Sequence, residues 1–304
     1  MQLSRRKLVF GAGAAPAAAL LAACGAGQGT SQSSAPSSLP SPTVAPAATS
    51  FPASSYMAKI VQRGKLIAGV KQDQPLFGLL NPRTNQIEGF DVDIVKEIAK
   101  ALFNLGANGE PYPNRLELRG VTSAQRIPLL QEGAVDIIAA TMTINDERKQ
   151  QIDFSDVYYL AGQSLLVRKD STVTKIQDLD KPTTTVCSAS GSTSEQNITK
   201  FAPSAQKLLF AGYAECVTAL QHSRVDAVST DDIILAGFLD TDPNLKMVGG
   251  QFTQEPYGLG MAKTSTGFTE FVNTELRKMK TDGRWKAIYT KWLGKIGPAP
   301  DPPK

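Results

Sequence analysis

Leu130-Gln131-Glu132-Gly133-Ala134-Val135-Asp136 and Leu220-Gln221-His222-Ser223-Arg224-Val225-Asp226 share one pattern, L-Q-x-x-x-V-D, at what reads as a helix-to-strand junction. Each copy leads into a short apolar run, "VDIIAATMT" in the first and "VDAVST" in the second. The same alternation of amphipathic and apolar runs fills the chain around them: "KLIAGV", "VDIVKEIAKAL", "RLELRGV" and "QRIPLLQEG" on one side, "TTTVCSAS", "AECVTALQ" and "DIILAGFL" on the other. Val95, Ile98, Ala99 and Leu102 recur at helical spacing, whereas the strand-like runs are short and nearly all apolar. Such alternation predicts α/β layers on mainly parallel sheets, and the repeat predicts one topology used twice. A short match can arise by chance, so its weight depends on what lies beyond it.

Five residues past each repeat aspartate stand Thr141 in the first copy and Asp231 in the second. One shared topology would put both at equivalent carboxyl ends of equivalent strands, the edge at which open α/β sheets bind ligands. Thr141 and Thr143, two residues apart in an extended run, would turn both hydroxyls to one side, with Arg148 following within a turn's reach. Hydroxyls and a guanidinium fork suit a carboxylate; Asp231 suits an ammonium. The two groups on adjacent atoms describe an α-amino acid. Each residue also has a plainer use: Thr141 and Thr143 as turn hydroxyls, Arg148 as a surface partner of Asp146 or Glu147, Asp231 as the cap of the helix beginning "DDIILAG". Taken singly the plainer use is the commoner; joint placement favours a site.

The 304 residues, 41% of them hydrophobic, suffice for one large core or two modest ones. Arg5, Arg6 and Lys7 are the only charges in the first 24 residues, and without these three the formal +4 falls to +1. A near-neutral body gives no support to nucleic-acid binding, which needs a concentrated basic stripe. The basic "SRRK" start and the apolar run from Leu8 to Ala22 read as an export signal over residues 1–23. Leu21-Ala22-Ala23-Cys24 looks like a bacterial lipobox, in which Cys24 is lipidated and becomes the first residue; the alternative is an unmodified cysteine of a removed peptide. The paired arginines resemble a twin-arginine signal, although a general secretory signal also tolerates them. Gly25 to Pro52 holds no charged residue and reads as a disordered tether spanning about 30 Å, so residues 24–56 are taken as a lipid-anchored linker. In an oxidising compartment Cys187 and Cys216, an even pair once Cys24 is lipidated, read as a disulfide rather than two buried thiols. His222, the only histidine, lies in the polar "LQHSR", and no metal site is read.

Gly89-Phe90-Asp91-Val92-Asp93-Ile94, followed by "VKEIAKAL", and "TMTINDERKQQIDFSDVYY" resemble two signature blocks of the family 3 extracellular solute-binding proteins, the amino-acid receptors of bacterial ABC importers. The resemblance runs from about Met57 to Gly297 and is nearest to the actinobacterial glutamate/glutamine-binding lipoproteins, which carry a similar "DAVSTDD" segment, cysteine pair and Pro-rich end. It implies a two-lobed, periplasmic-binding-protein-like (type II) α/β fold, each lobe a mainly parallel sheet flanked by helices, joined by a two-strand hinge. Lobe 1 would be residues 57–161 with 252–297, lobe 2 residues 162–251, and 298–304 a Pro-rich tail. It also implies that Arg148 and Thr143, helped by Ser192 and Thr193, hold the α-carboxylate and that Asp231 takes the ammonium. Ser192 and Thr193 equally suit a turn and helix cap before "EQNITKF". Lys71, Ser123 and Arg126 match groups that hold a distal carboxylate in acid-binding members. Phe77 is the aromatic residue available to pack over the ligand, at an offset the sequence does not fix, and Val157 stands where proline is common.

These residues give the expectation of an extracytoplasmic, membrane-anchored, monomeric receptor that closes on glutamate or aspartate, with glutamine and asparagine as the lesser choice. It would deliver the ligand to an ABC permease and its ATPase; the alternative output is a membrane sensor feeding a kinase pathway. No cofactor is expected. An enzyme on the same fold is the third reading, disfavoured because no nucleophile-base pair, metal-ligand cluster or phosphate loop is visible. Trp285, Ile288, Tyr289 and Trp292 form a stripe at helical spacing that reads as core packing.

Overall fold

The computed structural model describes residues 51–304; the export signal, Cys24 and most of the tether lie outside the described residues. Two five-stranded sheets carry the fold. Across the first, the strands run Leu116–Gly120, Leu66–Val70, Ile137–Ala139, Gly260–Met261, Asp153–Phe154. Across the second they run Gln206–Phe210, Thr185–Ala189, Ala227–Asp231, Gln163–Arg168, Leu245–Val248. In each sheet the first three strands are parallel and the fourth is antiparallel to both its neighbours. One topology is therefore used twice, giving a two-lobed α/β fold. Tyr159–Ala161 and Glu255–Tyr257 form an antiparallel pair of their own between the two sheets.

The repeat has a structural cause. After each helix, Arg126–Gln131 and Tyr213–Gln221, the chain reverses through a left-handed residue, Gly133 at φ 68° and Ser223 at φ 56°. Ala134 N then donates to Leu129 O, and Arg224 N to Ala219 O, both at 2.9 Å. Each repeat aspartate next pairs twice with the second strand of its sheet. Asp136 N donates to Ile67 O at 2.8 Å and its Oδ2 accepts from Ile67 N at 2.8 Å; Asp226 N donates to Thr185 O at 2.9 Å and its Oδ2 accepts from Thr185 N at 2.8 Å. An aspartate here extends the ladder by one side-chain bond and fixes the register of the strand that follows.

Helix Phe90–Phe103 buries Val95, Ile98, Ala99 and Leu102 with the rest of its apolar stripe, against the first sheet and the helices Phe268–Thr281 and Arg284–Leu293. Trp285, Ile288 and Tyr289 are buried in the same core, and Trp285 Nε1 donates to Tyr158 O at 2.9 Å. Full burial of each such side chain contributes about 2 kcal/mol. In the second lobe Cys187 and Cys216 form a disulfide that ties strand Thr185–Ala189 to helix Tyr213–Gln221. Closing its loop constrains the unfolded chain by about 3 to 4 kcal/mol in the chain-entropy model.

Two boundaries differ from expectation. The end of the tether packs on lobe 1: Phe51 meets Phe271 edge-on at 5.5 Å, and Ser55 caps helix Tyr56–Arg63. An aromatic ring supplies the buried area that the Ser/Pro/Ala stretch lacks. The strand within "VDIIAATMT" also ends early, at Ala139, because Thr141 takes φ 44°.

Candidate ligand-binding site

Lys71 follows strand Leu66–Val70 of lobe 1 and is 1% exposed; its Nζ donates to Ser123 Oγ at 2.9 Å. Arg126, at the start of its helix and 3% exposed, donates from Nε to Ser123 O and from Nη1 to Ala140 O, both at 3.0 Å. Arg148 sits in helix Asp146–Gln151, capped by Asn145, and its Nη1 donates to Thr143 O at 2.8 Å. Its Nη2 reaches across to Gly191 O of lobe 2 at 3.5 Å. Among the described residues none of these three cations has a carboxylate within 4.0 Å. Arg148 thus makes no pair with Asp146 or Glu147. Burial, with the charge of Arg126 adding to it, pulls the Lys71 ammonium down to about 7. Burial pushes both guanidinium groups down as well, yet a guanidinium stays charged at neutral pH.

Asp231 ends the third strand of the lobe 2 sheet and stands at the N-cap position of helix Asp232–Leu239, but its side chain makes no capping bond. Its Oδ2 accepts from Tyr257 Oη at 2.5 Å, while its Oδ1, equally buried, has no partner among the described residues. Burial, with the charge of Glu255 adding to it, raises Asp231 to about 8 against the opposing Tyr257 bond. Ser192 does cap its helix, accepting from Glu195 N at 3.1 Å and donating to Ala189 O at 2.7 Å. Gly191, at φ 75°, lies so close to lobe 1 that a Cβ there would stand 2.7 Å from Ala124 Cα. Only glycine lets the two lobes meet at this point.

The threonines depart from the expected arrangement. Thr141 Oγ1 donates to Gln74 Oε1 at 3.0 Å and its backbone N–H to Asp91 Oδ2 at 2.8 Å. Thr143 Oγ1 donates instead to Glu255 Oε2 at 2.7 Å. The two hydroxyls do not share a face, because strand alternation has ended at Ala139 and the left-handed Thr141 turns the chain. Glu255, 3% exposed on the hinge pair, also accepts from Thr193 Oγ1 at 3.0 Å, Thr253 Oγ1 at 2.7 Å and Asn197 Nδ2 at 3.1 Å. It therefore holds the hydroxyl protons that sequence reasoning assigned to a ligand carboxylate. The Phe77 ring lies in the lobe 1 aromatic core among Phe90, Tyr159 and Tyr257, at centroid distances of 5.6, 5.6 and 6.1 Å.

Lys71, Ser123 and Arg126 thus form one buried corner, Arg148 and Thr143 a second, and Asp231 with Tyr257 a third. Gln74, Asp91, Tyr257 and Glu255 were not singled out as site residues. Asp91 is spent on Thr141 N and on Tyr158 Oη, at 2.7 Å, and burial raises it to about 7. Glu255 and Tyr257 lie in "EPYG", where an acid beside an otherwise apolar hinge run was the one available signal.

Two lobes of one topology, joined by a strand pair and lined at their seam by buried charges, define the class of hinged binding proteins. The chain belongs to the bacterial extracellular solute-binding proteins, family 3, whose model matches residues 66–295; the family description places its members outside the cytoplasm. It is 46% identical over 237 residues to the ABC transporter glutamine-binding protein GlnH of Bacillus subtilis (strain 168), covering 78% of this chain and 84% of that one. It is 36% identical over 241 residues to the glutamate-binding protein GluB of Corynebacterium efficiens, covering 77% and 80%. Among solved structures it resembles the ancestral amino acid-binding protein AncCDT-1, a precursor of cyclohexadienyl dehydratase, with TM-score 0.70 and 35% identity over 78% of this chain and 99% of that one.

Proposed function

We propose that this protein captures an α-amino acid between its lobes, preferring glutamate or aspartate and accepting glutamine or asparagine second, and passes it to the membrane subunits of an ABC importer. The observation that carries this reading is the half-partnered Asp231 of lobe 2, buried within electrostatic reach of Arg148 and Arg126 of lobe 1. A buried carboxylate oxygen with no donor costs free energy that a ligand ammonium removes. Arg148 takes the α-carboxylate at the other end. Thr143 and Thr193 assist only by turning their protons away from Glu255. Lys71, Ser123 and Arg126 receive the distal group; a carboxylate there restores the charge that burial takes from Lys71. Residues 162–251 move as lobe 2 about the hinge pair, and ligand occupancy favours the closed arrangement. Cys24 carries the lipid that keeps the body at the membrane.

Calorimetry with the twenty amino acids at neutral pH tests the reading. Glutamate or aspartate should bind most tightly, and absence of binding by every amino acid would overturn it. Arg126→Ala should weaken glutamate far more than glutamine; equal losses would remove the distal-carboxylate role. The likeness to a dehydratase precursor favours one second reading, turnover of a small carboxylic acid in the same seam. Release of product from a prephenate-like acid would support it.

A further inference from the structure

We infer that Gln74 is a further specificity-determining residue, whose side-chain amide donates to an oxygen at the far end of the ligand's side chain. The inference rests on the amino-acid reading above and narrows it to ligands ending in a carboxylate or carboxamide. Gln74 lies three residues beyond Lys71 in the short strand Asp73–Gln74 and is 0% exposed. Its Oε1 accepts from Thr141 Oγ1 at 3.0 Å, which fixes the amide plane and turns the NH2 group the other way. That Nε2 is buried and has no partner among the described residues. It is the donor counterpart of the unpartnered Asp231 Oδ1.

The position of the strand says what the free donor faces. Asp73 Oδ2 accepts from Tyr213 N of lobe 2 at 2.8 Å, and a Cβ on Gly237 of lobe 2 would stand 2.8 Å from Pro75 O. The residues on either side of Gln74 are thus clamped against helices Tyr213–Gln221 and Asp232–Leu239, the second of which starts directly after Asp231. Gln74 sits in the seam between the lobes, not in the core of one. Within that seam it belongs to the distal corner, because its partner Thr141 also receives Arg126 Nη1 on its carbonyl at 3.4 Å. Arg148 is held elsewhere, by Thr143 O and Gly191 O.

An N–H donor serves the oxygen of a carboxylate and that of a carboxamide alike. Gln74 therefore admits both acidic and amide ligands while Lys71 and Arg126 decide between them. A side chain ending in a methyl, ammonium or guanidinium group would leave the amide donor unpaired, and a cationic one would also meet Lys71 and Arg126.

Gln74→Glu tests this directly, since it keeps length and an acceptor for Thr141 but places an oxygen where the NH2 was. Calorimetry on the variant should show glutamate weakened about 100-fold and glutamine far less, because glutamine's own NH2 can donate to the new oxygen. The glutamate-to-glutamine preference should thus shift by about tenfold or more toward glutamine. If wild type binds either ligand and the ratio is unchanged in Gln74→Glu, the assignment is overturned. If wild type binds no amino acid, the functional reading and this inference fall together. Melting of the ligand-free variant reports whether it folds. Should it not fold, Gln74→Met decides: glutamate and glutamine weakened about tenfold with alanine unaffected supports the role, and equal weakening of all three overturns it.

Discussion

Thr141 and Asp231 occupy matching places in the two lobes, five residues past aspartates that make the same pair of bonds to the second strand of their respective sheets. Up to that aspartate the lobes are built alike; beyond it they part. In lobe 1 the chain turns left-handed at Thr141, whose groups are used up internally on Asp91 and Gln74, and the edge is furnished with Lys71, Arg126 and Arg148. In lobe 2 the strand runs straight into helix Asp232–Leu239, and Asp231 keeps one oxygen free. The backbone of each edge is fixed upstream, by Asp136 or Asp226, so the residues at the edge were free to become complementary. Repetition supplies two opposed ledges, and divergence arms one with basic groups and the other with a carboxyl group.

The largest effect should come from removing one side of that complementarity. Arg148→Ala and Asp231→Ala should each lower affinity for every amino acid by about 3 kcal/mol or more, since the opposite charge of the ligand would be left buried and unpaired. Titration calorimetry showing unchanged affinity in either variant would break the comparison. The next effect concerns stability. Asp136→Ala should lower unfolding free energy by about 2 to 3 kcal/mol and Asp226→Ala by about 1 to 2. Both lose the strand bond, but Asp136 also accepts from Tyr56 Oη at 2.8 Å and pairs with Arg63. Equal losses in denaturant melts would mean that these extra partners add nothing.

A smaller change is expected from Tyr257→Phe, which leaves Asp231 without its hydroxyl donor. Affinity should drop about tenfold for all amino acids alike, and a loss confined to acidic ligands would place Tyr257 at the wrong end of the site. The smallest is a pH effect. Lys71, lowered to about 7, is cationic below that pH and neutral above it. Asp231 affects all amino acids equally, so it cancels in the ratio of glutamate to glutamine affinity. That ratio should be highest below pH 7 and fall by up to about tenfold per unit as pH rises past it. A ratio independent of pH between 6 and 8.5 would exclude Lys71 from the distal corner.

The fold was legible because its signals are local. Helix spacing at Val95, Ile98, Ala99 and Leu102 and the aspartate that ends each repeat both act within a few residues of their own position. Lys71, Arg126, Arg148 and Asp231 were legible for a related reason: each lies at a strand end or in the first turn of a helix, where position in sequence implies position at the sheet edge. Thr141 and Thr143 misled because positive φ is rare for a β-branched residue, and alternation was extended past the true end of the strand. Gln74 lies on a two-residue strand, and Glu255 and Tyr257 lie on a three-residue strand. None of these has a periodicity to declare which way its side chain points. Their partners are as many as 112 residues away in the chain, as for Thr143 and Glu255, and only tertiary packing reveals them.

Glu255 ties the two lobes to the segment that joins them. Its four donors come from lobe 1, lobe 2 and the connecting segment, so parting the jaws would tear some of them away. Water solvates an exposed carboxylate well, and each bond therefore adds only about 1 kcal/mol net to the shut form. A clasp of that strength steadies one arrangement of the lobes without locking it.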